Sequence, residues 1–385
     1  MSSLYLFIVI SSANHFVFTG TRLAVLLYAV HLQASPAVVG VLAALFGLVS
    51  SFTSVAAGRL MDRAGPRRPM LWSAVVMALG AGAGFVWRDL WALFIVATLV
   101  GTFYTYFFIG HTQWIGRIGG PDDRIRNFSH ASLGFSAAMF LGPLATGFLI
   151  DAVGHAAAFL MLALVPLFPV GVLAFNVIEP PAEKKSGAAS AVRHQKSVME
   201  LLHDRPLRRI FGVSALAHTT WSIMHFLVPV YGTQIGLCAS TIGLIIGAYS
   251  IASVVIRAFM TLLARRFTTW QLMLASLAVT GVCFVFFPLF TAVPPLMILA
   301  FFIGLGMGLS GPLSQALLYD ASPPERVGEV MGLRVTAMNV NQTVVPLAAG
   351  AIGAAVGVAP VFWALAAMLL GGTYATRAQW RRGKG

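Results

Sequence analysis

His15, Thr19 and Arg22 recur at i, i+4 and i+7, which places them on one face of any helix built from this segment. His218, Ser222 and His225 repeat that spacing 203 residues later (218 − 15). A guanidinium is a permanent donor that suits carboxylates and phosphates, and an imidazole titrates at about pH 6.5 in water. Two such stripes could therefore hold an anion or carry a proton. His111, Gln315, Arg257, Asn339 and Gln342 add further polar groups to otherwise apolar runs. Arg257 either meets a substrate anion or pairs with Asn339, Asn341 or Gln342, since an unpaired arginine in a dry core is too costly. Catalysis is not expected. The chain has no His-Glu-x-x-His or His-x-x-Glu-His run, and its acids fall at the ends of apolar runs or between them, so nothing is placed to orient a base. Two cysteines, Cys238 and Cys283, build neither a disulfide framework nor a metal site, and no cofactor is expected.

The elements that must position these groups follow from composition. The chain is 58% hydrophobic and 10% charged, where a soluble domain has about 25% charged residues. Apolar runs long enough to span a bilayer fall near 5–31, 36–60, 69–88, 91–114, 127–152 and 156–178, and again near 208–235, 239–264, 270–289, 294–319, 329–355 and 358–376. The first run lacks the early basic residues and small-residue cleavage site of a signal peptide, so it is expected to be the first span. The expected fold is an all-α membrane protein of twelve transmembrane helices in two six-helix halves, 1–178 and 208–385, joined by a polar linker at 179–207.

The two halves share one register. Pro143 and Pro346 stand 203 residues apart (346 − 143), and the same offset pairs His15 with His218, Gly40 with Gly243 and Gly101 with Gly304. Tandem halves in a hydrophobic chain are the mark of transporters that rock one half against the other. Pro143, Pro312 and Pro346 each predict a kink or a close helix contact, and Gly134, Ala138, Gly142 and Thr146 form a small-residue stripe on which another helix can lie.

The net charge of +13 suits membrane topology better than nucleic acid. Setting Arg22, Arg88 and Arg257 aside leaves 22 of the 25 basic residues (25 − 3) in or beside the even-numbered loops, the linker and the C-terminal tail. The positive-inside rule makes that face cytoplasmic, with both termini.

Between the second and third spans, Gly58, Asp62, Arg63, Gly65, Arg67 and Arg68 fill the pattern Gly-x-x-x-Asp-Arg-x-Gly-x-Arg-Arg. One glycine can break the helix and the other turn the chain, while acid and base at helix ends hold neighbours by charge. These residues resemble the loop 2–3 signature of the major facilitator superfamily. The resemblance covers the whole chain. It implies that Asp62 and Arg63 latch a cytoplasmic gate and that spans one, four, seven and ten line a central cavity containing both polar stripes. In the second-half copy the basic pair Arg265-Arg266 remains but the glycines and acid are gone, which leaves Asp320 to take the acid's part. Gly142 and Pro143 lie in a run similar to the superfamily's antiporter motif, departing from it at Ala138 and Thr146, and with Pro346 they complete the expected gating set.

Composition, repeat and resemblance lead to an expectation of secondary active transport by alternating access in a bacterial inner membrane. The expected cargo is a small organic anion or zwitterion, exchanged for protons and exported, by a monomer. Proton-coupled uptake of an organic anion on the same fold is the rival, with an intramembrane enzyme or a receptor as the alternatives from other classes.

Overall fold

A computed structural model of the chain describes residues 2–118, 123–178, 204–321 and 327–382. Every regular element among them is helical, as hydrocarbon requires of a backbone that must bond to itself. The first six spans are Ser2–His31, Pro36–Ala64, Arg67–Val86, Leu90–Arg117, Asp123–Val153 and a broken sixth, His155–Leu164 with Leu167–Ala174. The second six are Arg205–Gln234, a broken eighth of Ala239–Ala258 and Met260–Arg266, Thr269–Phe286, Val293–Ala321, Val327–Val356 and Ala359–Arg382. Among the described residues nine helices are long and apolar enough to cross a membrane, and the seventh, eleventh and twelfth spans complete the twelve. Large side chains such as Phe52, Trp72 and Phe175 stand exposed around the bundle, 81%, 66% and 83% respectively, an outer surface suited to lipid. Most of the residues given to the linker, 179–203, lie outside the described residues, and the seventh span begins at Arg205.

Short polar turns set the helix starts. Ser35 accepts from the Val38 amide at 3.4 Å and Asp89 from the Trp91 amide at 2.5 Å. Thr268 and Gln271 form a reciprocal capping box, which satisfies amides that have no partner within the helix. The second span runs unbroken through Gly58, so that glycine does not end the helix; Gly65, at φ 73, makes the turn.

The small-residue stripe of the fifth span packs on the first. A Cβ added at Gly142 would lie 2.8 Å from the Phe16 carbonyl oxygen, and one at Gly20 would lie 2.6 Å from Thr146 Oγ1. Thr19 Oγ1 donates to its own helix, at the His15 carbonyl, and reaches the Ala138 carbonyl at 3.4 Å. Thr19 therefore serves this contact.

Two further seams join the halves, and the 203-residue offset relates them. A Cβ at Gly40 in the second span would fall 2.6 Å from the Pro346 carbonyl oxygen of the eleventh; one at Gly243 in the eighth would fall 2.8 Å from the Pro143 carbonyl oxygen of the fifth. Both prolines are close-contact residues, and glycine is what lets the backbones meet. Asp151, at the end of the fifth span, accepts from the Ala239 and Ser240 amides of the eighth. These contacts sit toward the odd-numbered loops, so the halves are closed on that side.

Candidate functional site

Between the halves lies a cavity of about 670 Å³. Its lining falls in the middle of the spans and toward their even-loop ends: Phe46 to Ser54 in the second, Tyr104 to Thr112 in the fourth, Phe211 to Trp221 in the seventh and Arg334 to Gln342 in the eleventh. With the odd-loop side shut, the cavity faces the even-numbered loops.

The two polar stripes divide at its edge. His15 and His218 line the cavity, whereas Thr19, Arg22, Ser222 and His225 do not. An i, i+7 spacing carries a residue about two turns along the helix axis, and those two turns lead into the closed odd-loop side. Arg22 is 2% exposed and its three guanidinium nitrogens have no hydrogen-bond partner among the described residues. Its compensation is the Trp221 ring, 5.2 Å from Cζ to the centroid, a cation–π contact across the halves. Ser222 Oγ and His225 Nε2 are likewise buried without a partner there, while His225 Nδ1 lies 3.0 Å from the Trp221 carbonyl oxygen.

His15 Nδ1 and Tyr104 Oη are 2.5 Å apart, so the fourth span orients the imidazole on the wall. His111 turns away from the cavity: Nδ1 lies 2.8 Å from Ser11 Oγ and the ring stacks on Phe7 at 5.5 Å. It joins the first and fourth spans. Arg257 lines the cavity and donates from Nε to the Gly308 carbonyl at 3.2 Å. Its hydrogen-bond partner is thus backbone of the tenth span. Asn341 instead pairs with Thr219 Oγ1 and donates to the Ala215 carbonyl at 2.8 Å, tying the eleventh span to the seventh. Asn339 and Gln342 line the cavity beside Arg257.

Arg334 is the charged cavity residue that sequence reasoning missed. It lines the wall, and its Nε is buried without a partner among the described residues. Its place near a basic helix end gives it the look of a topology charge. The signal that could have found it is the offset: position 131 (334 − 203) holds Ala131, so Arg334 breaks the repeat as Arg257 does against Ser54.

At the expected gate, the Arg67 guanidinium donates to the Leu173 carbonyl from Nε at 2.9 Å and Nη2 at 2.6 Å, clamping the start of the third span to the end of the sixth. Arg63 and Arg68 are exposed. The side chains of Asp62, Gln315 and Asp320 lie outside the described residues.

A carrier's essentials are present among the described residues: paired halves, a cavity at their interface, and seams that shut its odd-loop side. The family model for the Major Facilitator Superfamily matches residues 6–238 and 210–379. A multi-drug resistance efflux pump PmrA homolog of Lactococcus lactis is 23% identical over 311 residues, 79% of this chain and 76% of that protein. Among solved structures, a POT family transporter in complex with 5-aminolevulinic acid superposes with TM-score 0.79 at 14% identity, covering 97% of this chain and 95% of the other. A point mutant of the nucleoside transporter NupG does so with TM-score 0.79 at 13% identity, covering 97% and 99%. Fold, paired halves and family match agree, and the chain belongs to the Major Facilitator Superfamily.

Proposed function

We propose that this transporter carries a small organic anion or zwitterion by alternating access, with the even-numbered loops and both termini in the cytoplasm of a bacterial cell. The observation that carries the proposal is the charge of the wall. Arg257 and Arg334 line the cavity with His15 and His218, and no Asp or Glu is among the described lining residues. A guanidinium facing a low-dielectric cavity attracts a negative group more strongly than it would in water. The basic even-numbered loops support the orientation, and the cavity then opens to the cytoplasm.

Proton coupling rests on the histidines, since no described carboxylate lies on the wall. Export is supported by the Gly142-Pro143 run and by the relative named as an efflux pump. The protein works without a catalytic step of its own. The test is flux in proteoliposomes of defined orientation under an imposed pH gradient. Expected is substrate movement against the proton gradient, with Arg257→Ala reducing anion transport at least tenfold. Uptake in the proton's direction would establish the symport reading, and an unchanged Arg257→Ala rate would remove the anion site.

A further inference from the structure

The offset that relates the halves also relates the two walls of the cavity, and their chemistries differ. His15 and His218, Phe18 and Trp221, and Ser50 and Ser253 are lining pairs separated by 203 residues and matched in character. Elsewhere the pairs part: Ser54 corresponds to Arg257 in the repeat, Met139 to Gln342, and Phe108 to Gly311. Every Arg, Asn and Gln on the described wall, namely Arg257, Arg334, Asn339 and Gln342, comes from the second half.

The first half supplies a continuous run of rings. Phe18 stacks on Tyr104 with centroids 4.0 Å apart and planes 16° apart. Tyr104 touches Phe108 at 6.1 Å, Phe108 touches Phe135 at 5.7 Å, and Phe135 touches His15 at 5.0 Å. Such a surface favours flat apolar groups, which gain offset-stacked and edge contacts beyond simple burial. The opposite wall favours a planar anion that can take two parallel N–H bonds from one guanidinium. At about 670 Å³ the cavity is in the range of sites for drug-sized molecules.

We infer that the substrate is an amphipathic aryl anion lying across the interface, its ring system on Phe18, Tyr104, Phe108 and Phe135 of the first half and its carboxylate-type group on Arg257 and Arg334 of the second. This rests on the anion reading proposed above and adds the ring and the orientation. One molecule then touches both rocking halves at once, each through a different chemistry.

The test is calorimetric binding to the purified full-length protein with three probes: 2-naphthoate, octanoate and 2-naphthalenemethanol. They separate ring and charge. Expected is at least tenfold tighter binding of 2-naphthoate than of either other probe. Phe135→Ala, or Phe108→Leu if the first variant fails to fold, should shrink the naphthoate-over-octanoate ratio and leave octanoate affinity unchanged. Arg334→Gln should weaken naphthoate at least tenfold and leave 2-naphthalenemethanol unchanged. Octanoate binding as tightly as naphthoate, or a ring variant weakening both equally, would overturn the aryl inference while the anion reading stands. Binding confined to 2-naphthalenemethanol would overturn both.

Discussion

Asp151 and Ser240 are joined across the two halves: Oδ2 of Asp151 accepts from the Ser240 amide at 2.7 Å while Oδ1 accepts from the Ala239 amide at 2.9 Å. The carboxylate of the fifth span thereby caps the eighth, where free amides and the helix dipole favour negative charge. Position 354 (151 + 203) holds Ala354, so one seam is latched by a side chain and its symmetry mate is not.

We predict that Asp151→Ala, which removes both acceptor oxygens, weakens closure of the odd-loop side. A lost cap costs about 1 kcal/mol, which shifts the closed-to-open ratio about fivefold. Spin-label distances between the odd-loop ends of spans five and eight would show a larger open population. An unchanged distribution would mean that the glycine seams alone hold the closure.

Gly40→Ala and Gly243→Ala press a methyl against backbone carbonyls at 2.6 and 2.8 Å, separations that cannot be relieved by a side-chain rotation. Both are expected to open the odd-loop side or lower the melting temperature. Gly171→Ala is the control, because nothing lies within 4 Å of its added Cβ; it should gain up to about 1 kcal/mol of helix propensity. Equal behaviour of all three variants in a thermal melt would contradict the seam.

Arg22→Met removes a buried charge whose described contact is the Trp221 ring. Replacing buried ionic groups by apolar ones of similar volume is often stabilising, and we predict an apparent melting temperature raised by about 2 °C or more. A marked loss of stability would instead show that the contact with the Trp221 ring outweighs the cost of burying the charge.

Tyr104→Phe deletes the hydroxyl that orients His15, at a cost of about 1 kcal/mol. In a double-mutant cycle, His15→Phe and Tyr104→Phe should be strongly non-additive. Additive losses in melting temperature would show that the pair does not act together.

The seams were legible because they are written twice: the repeat pairs Gly40 with Gly243 and Pro143 with Pro346, and the structure brings them together crosswise, Gly40 to Pro346 and Gly243 to Pro143. Twelve helices followed from apolar run lengths, which hydrocarbon thickness fixes. The wall was read less fully. Helical spacing names a face but not the helix that covers it, so Thr19 is taken up by the fifth span and His111 by Ser11. Depth also decides: Arg22 and His225 share a face with His15 and His218 but lie farther along, in the closed side. Asp151 has the look of an ordinary span-end acid, because the amides it caps are 88 and 89 residues away in sequence.

The two cavity arginines have an electrical consequence. In the alternating-access cycle proposed above, an empty carrier would present Arg257 and Arg334 to one face and then the other with no described acid on the wall to offset them, and a unit charge crossing the whole membrane potential gains or loses about 2.3 kcal/mol per 100 mV. A bound monoanion cancels part of that charge. Under that proposal voltage acts most strongly on the unloaded return step, and with the even-numbered loops in a negative cytoplasm the empty arginines would be held on the inner side, waiting for cargo.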